Sequence, residues 1–106
     1  MPQMEAMTDA EVQQALKALP EWKHQDNAIV RTTTFPGFLR GVEFVNAVAH
    51  LAERQDHHPD IEIQYHRVTI RYWTHRAKGV THLDFDGAKE VEAMIPVFKK
   101  EPVVSA

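Results

Sequence analysis

Apolar residues recur at intervals of three and four from Leu39 through Val42, Val45, Val48 and Ala49 to Ala52. They recur at intervals of two from Ile61 through Ile63 to Tyr65, and Pro59 stands between the two patterns. The first rhythm lays residues along one face of an α-helix and the second along one face of a β-strand, so the chain changes structure at that proline. Pro59 has no N–H with which to continue a helix, and its ring pushes His58 out of the α region. An amphipathic helix from Phe38 to about Gln55 is therefore followed at once by a half-buried strand.

The same arithmetic extends both ways along the chain. Thr8 and Glu11 form a capping box ahead of Val12, Ala15, Leu16 and Leu19, which predicts a first helix from about Asp9 to Leu19, ended by Pro20. Trp22 to His24 and Ile29 to Phe35 read as strands around the turn-forming Gln25-Asp26-Asn27, a hairpin closed by Pro36-Gly37. Ile61 to Tyr65 and Val68 to Trp73 read as a second hairpin with His66-Arg67 between them. Lys78-Gly79 is a loop, after which Thr81 or Asp84 caps a last helix bearing Phe85, Ala88, Val91, Met94 and Ile95, and Pro96 is expected to bend or end it. The order is α-β-β-α-β-β-α. Two hairpins and three one-sided helices bury their apolar faces together as an α+β fold, one four-stranded antiparallel sheet with three helices on one face. At 106 residues the chain fits a single domain, against about 100 to 200 for an ordinary one. Residues 1–7 are expected to be a flexible N-terminus and 101–106 a flexible tail. An open sheet has unpaired edges that a second copy can cover, so a homodimer or homotetramer is expected.

Composition narrows the chemistry. With 43% hydrophobic and 25% charged residues the chain has the balance of a packed globule rather than a disordered or fibrous one. Twelve Lys and Arg against 15 Asp and Glu give a net charge of -3, which offers no electrostatic reason for nucleic acid or anionic lipid as a direct partner. The absence of cysteine removes disulfides, thiolate nucleophiles and cysteine-ligated zinc. The only serine, Ser105, lies in the tail, and no glycine-rich phosphate loop is present. No leader-like segment and no run of roughly 18 apolar residues occurs, so a cytoplasmic protein is expected.

What remains is histidine. Of seven, five (His57, His58, His66, His75 and His82) fall within one quarter of the chain. His57 and His58 sit where the second helix stops and His75 where the fourth strand stops, and a hairpin folded back on itself brings both ends to one rim of the sheet. Imidazoles gathered there suit acid and base catalysis near neutral pH, with an unperturbed pKa of about 6.5. Glu53 lies one helical turn before His57, close enough to orient it. Competing readings are plainer. Helix-end histidines often only meet exposed carbonyls, His66 in a tight turn reads as solvated, and Tyr65 and Trp22 suit a core role as well as a pocket wall. Asp84 reads as a helix cap, and Glu90 and Glu92 as solvated surface. A metal site is the rival chemistry, but adjacent histidines diverge unless the backbone bends sharply, and no His-Glu-x-x-His pair exists.

Glu53-x-x-x-His57-His58-Pro59, with Tyr65, Thr74-His75 and Asp84 at their particular spacings, resembles the signature of the pterin-4a-carbinolamine dehydratases. Trp22, Val68-x-Ile70 and Gly79-x-Thr81 agree with it, and the likeness runs from about Glu21 into the final helix. The resemblance implies the same element order and the dehydration of a 4a-hydroxytetrahydropterin to quinonoid dihydropterin, with a small-molecule pterin as substrate and no cofactor or metal. It implies that His57, His58 and His75 are the active-site histidines, with His57 and His75 transferring protons and His58 binding or orienting the pterin. Glu53 would orient the cluster, Asp60 and Thr74 would hydrogen-bond the ring, and Trp22 would supply an aromatic wall. Relatives in this family also act as non-enzymatic dimerisation or assembly proteins, which is the alternative function, and a histidine-rich metal or ligand binder is the third. Departures from the usual pattern are Arg54, Lys78-Gly79 and the bulky Tyr72-Trp73 before Thr74-His75.

Overall fold

The computed structural model describes residues 4–101. Its elements follow the expected order: α1 (Asp9–Leu16), β1 (Lys23–Gln25), β2 (Ala28–Thr34), α2 (Phe38–Gln55), β3 (Asp60–Gln64), β4 (Arg67–Tyr72) and α3 (His82–Lys99), with a 3-10 turn at His75–Ala77 before α3. The strands form one antiparallel sheet in the order β1-β2-β4-β3. Val68, Ile70 and Tyr72 of β4 face the helices and are fully buried against Phe44 and Val48 of α2 and Phe85, Ala88 and Val91 of α3. No helix among the described residues is long and apolar enough to cross a membrane.

Several boundaries differ from expectation for identifiable reasons. Helix α1 stops at Leu16, and Lys17, Ala18 and Leu19 close down through bonds to carbonyls three residues back, the tighter winding usual at a helix end before a proline. In the first hairpin Gln25 pairs with Ala28, which leaves the two-residue turn Asp26-Asn27 with φ of 48° and 64°, a backbone that Asp and Asn tolerate. In the second, Gln64 pairs with Arg67, so Tyr65-His66 is the turn rather than His66-Arg67. Tyr65, at φ 52° and 70% exposed, is not a core residue. His66 packs edge-on against it and is half-buried rather than solvated. Pro96 does not end α3, because Ile95 is buried and Phe98 packs on Phe44, holding the last turn to the core. Of the expected flexible ends, residues 1–3 and 102–106 lie outside the described residues. Met7 is tied in by its N–H to the Val80 carbonyl at 2.8 Å.

The apolar stripe of α2 also rotates. Gly41, Phe44, Val48, Leu51 and Ala52 make its buried face, while Leu39 and Ala49 turn to solvent and Val42 and Val45 lie between. Both stripes obey helical spacing, and periodicity alone does not choose between them.

Tyr72 is fully buried, and its ring occupies the space a side chain on Gly87 of α3 would need, with a Cβ there falling 2.5 Å from the ring. Its hydroxyl has no hydrogen-bond partner among the described residues, and burial, helped by the negative charge of Asp84, pushes the phenol up to about 12. The ordinary phenol titrates near 10, so the folded chain holds this proton more tightly than the unfolded one. Its contribution to stability is fully present below about pH 10 and is lost as pH rises through about 12. Urea unfolding of the wild type is expected to give about 1 kcal/mol less stability at pH 11 than at pH 9 beyond the change seen in Tyr72→Phe. The variant itself is expected to match or exceed the wild type by about 1 kcal/mol at neutral pH, since it deletes an unsatisfied buried hydroxyl. Equal alkaline losses in the two proteins would dismiss this account.

Candidate active site

Helices α2 and α3 run antiparallel, with Arg40 near the start of α2 donating to the Val97 and Lys100 carbonyls at the end of α3. The end of α2 therefore meets the beginning of α3, and the site is built there. Asp56 caps α2 in the left-handed conformation at φ 52°, and the His57 N–H returns to the Ala52 carbonyl at 3.1 Å, a Schellman-type stop. That kink separates the two adjacent histidines. His57 turns inward, its ring nearly parallel to Tyr72 at 5.8 Å, and His58 turns outward.

At the start of α3, Thr81 and Asp84 form a capping box. Asp84 is fully buried, and its Oδ2 accepts from the Thr81 N–H and from the Thr74 hydroxyl, both at 2.8 Å. Because the Thr74 proton goes to Asp84, the Thr81 hydroxyl is the donor in its 2.7 Å bond to Thr74. The remaining oxygen, Oδ1, lies 2.6 Å from His57 Nε2. A carboxylate oxygen accepts, so His57 Nε2 carries the proton of that bond. Nδ1 is then the one acceptor on the His57 ring. Asp84 is thus a cap, as its sequence context says, and also the orienting group of His57, which sequence reasoning missed. The signal was the Thr-x-x-Asp box closely following His75, but nothing in the chain's order announces that its carboxylate meets the end of α2.

Glu53 takes a different partner from the expected one. Because α2 ends before His57, Glu53 Oε2 lies 2.5 Å from His58 Nε2 instead, in a pair exposed enough to contribute only about 0–1 kcal/mol. His75 opens the 3-10 turn, which is closed by the Thr74 N–H to the Gly79 carbonyl at 2.9 Å and by Lys78 at φ 56°. That turn folds the His75 ring back over Trp73, with centroids 3.9 Å apart and planes 27° apart.

The three histidines line one cavity of about 410 Å³. Asp56, His57 and His58 come to it from the segment after α2, Trp73, Thr74, His75 and Arg76 from the segment after β4, and Leu83 from α3. This volume lies within the roughly 300–1,000 Å³ of small-molecule sites. Among the described residues, no three His, Asp or Glu side chains are grouped as a metal ion would need.

The other expected site residues sit elsewhere or do other work. Thr74 reaches the cavity wall, but its hydroxyl is spent on Asp84. Asp60, at the start of edge strand β3, accepts from the Trp73 indole N–H at 3.3 Å and lies 3.9 Å from Arg71. Trp22 is 2% exposed in the core, 6.2 Å from Tyr72, and borders a different hollow with Leu16, Pro20 and His24. Its indole N–H donates to Glu92 Oε1 at 2.8 Å, and Arg31 Nε donates to the same oxygen at 3.0 Å. Glu92 is therefore a partly buried ion-pair partner rather than solvated surface.

A carboxylate in the first turn of α3 thus stands behind one histidine of this α+β fold, with two further imidazoles around the same ligand-sized cavity. The family model for pterin 4 alpha carbinolamine dehydratase matches residues 5–94, and the chain belongs to that family. A Mycobacterium leprae protein named "Putative pterin-4-alpha-carbinolamine dehydratase" is 45% identical over 92 residues, covering 87% of this chain and 98% of its own. A Picosynechococcus relative of the same name is 48% identical over 80 residues, covering 76% and 87%. The crystal structure of a transcriptional coactivator/pterin dehydratase from Brucella melitensis superposes with a TM-score of 0.81 at 36% identity, covering 85% of this chain and 98% of that one. A pterin dehydratase-like protein described as a RuBisCO assembly factor in the alpha-carboxysome shares the fold alone, with a TM-score of 0.60 and 21% identity over 70% of this chain and 88% of its own.

Proposed function

We propose that this chain is a 4a-hydroxytetrahydropterin dehydratase that releases water to form quinonoid dihydropterin, without a metal or cofactor. The observation that carries the reading is the cavity in which His57, His58 and His75 meet, with His57 backed by the buried Asp84. Hydroxide is a poor leaving group, so the 4a-oxygen must gain a proton as its bond to carbon breaks. The ring nitrogen supplies the electron pair for the new double bond and gives up its own proton to a base. His57 is the base in this scheme, because Asp84 fixes its Nε2 proton and leaves Nδ1 to accept. His75 is the acid, since its exposed ring has no carboxylate partner among the described residues and can reload its proton from water. His58, steadied by Glu53, holds the pterin at the outer wall.

Self-association belongs to the same reading. Edge strand β3 is exposed along its whole length, and Ile61 and Ile63 extend the core-facing side of the sheet past its helical cover. These features, with the exposed stripe of α2, favour a second copy over a monomer.

The test is the decay of a synthetic 4a-hydroxytetrahydropterin followed spectroscopically with purified protein. Dehydration well above the buffer rate, unchanged by chelator, is the expected result. A rate equal to buffer would leave the non-enzymatic assembly role as the better description.

A further inference from the structure

Resting on the dehydratase reading, we infer that Trp73 is a positioning residue for His75, and that Asp60 serves the reaction through Trp73 rather than through the substrate. The two rings stack at 3.9 Å, and the 3-10 turn carrying His75 has an exposed histidine with no other side-chain partner among the described residues. Torsional freedom in that ring is removed by the indole face. The indole is itself fixed from two sides, by its N–H on Asp60 Oδ2 at 3.3 Å and by the Arg71 guanidinium 5.9 Å from the ring centre. Arg71 is anchored in turn on the Asp26 carbonyl at 2.8 Å and lies 3.9 Å from Asp60. A chain of contacts thus runs from the first hairpin turn across the open face of the sheet to one wall of the cavity. Aromatic stacking of this kind is directional, and a misplaced catalytic group can cost about a hundredfold in rate.

Steady-state kinetics on the synthetic 4a-hydroxytetrahydropterin decide it. Trp73→Leu is expected to lower kcat about ten- to a hundredfold with KM within about threefold, and Trp73→Phe, which restores an aromatic face, to recover most of that loss. Asp60→Asn is expected to lower kcat several-fold in the wild type and to add nothing in the Trp73→Leu background, as for two residues acting as one unit. Unchanged kcat in Trp73→Leu, or an Asp60→Asn effect that falls on KM and persists without Trp73, would overturn the inference. A second readout is independent of turnover: ring-current displacement of the His75 ring protons by NMR, present in the wild type and lost in Trp73→Leu. If the wild type does not turn over, the dehydratase reading falls and that spectrum decides the placement of His75 by itself, its absence ending the inference.

Discussion

Replacing Asp84 with asparagine is expected to cut kcat about 10²- to 10⁴-fold, the range for losing an oriented proton acceptor, while KM stays within a few-fold. The carboxylate accepts from three donors, Thr81 N–H, Thr74 Oγ1 and His57 Nε2. An amide has one acceptor oxygen and must turn its own N–H toward at least one of those donors. If the amide faces His57, the imidazole must move its proton to Nδ1, and its basic nitrogen is then directed at residue 84 instead of the substrate. If it faces Thr81 and Thr74 instead, the Thr81 N–H is left without an acceptor and the variant is expected to lose about 1–3 kcal/mol of stability. Two measurements separate positioning from simple unfolding: urea denaturation, and ¹⁵N NMR of the His57 ring, in which the proton should shift from Nε2 to Nδ1. A folded Asp84→Asn protein with wild-type kcat would remove Asp84 from the mechanism.

His57→Ala and His75→Ala are each expected to lower the rate by about ten- to ten-thousandfold. In the proposed scheme the two act on the same transition state, one taking the ring proton and the other delivering a proton to the departing oxygen. The double variant should therefore fall well short of the product of the single losses, as residues working as a unit do. His57 is packed beside Tyr72 and bonded to Asp84, so His57→Gln, closer in size, serves as a check against a packing effect. His75 lies in an exposed turn, and its alanine variant is expected to keep wild-type stability within about 0.5 kcal/mol. Full activity in both alanine variants would dismiss the assigned roles even in an active enzyme.

Most of the fold was legible because its determinants are local. The end of α2, the capping boxes at Thr8 and Thr81 and the two hairpins are each written within a few residues of where they act. The convergence of His57, His58 and His75 could also be read, since antiparallel topology decides which ends share a rim. What could not be read depends on long-range side-chain choice. The Glu92 bond to Trp22 spans 70 positions and favours the core reading of Trp22 over the aromatic wall that the resemblance implied. The His57–Asp84 bond spans 27. The partner of Glu53 turned on a single backbone angle at Asp56, which no periodicity specifies. Asp60 and Thr74 carried no sequence mark separating a ligand to substrate from a support for a neighbouring side chain.

One carboxylate both closes the first turn of α3 and holds the proton of His57 in register. Fraying of that turn and release of the imidazole are then a single event, so no intermediate condition exists in which the helix start is loose while His57 keeps its orientation.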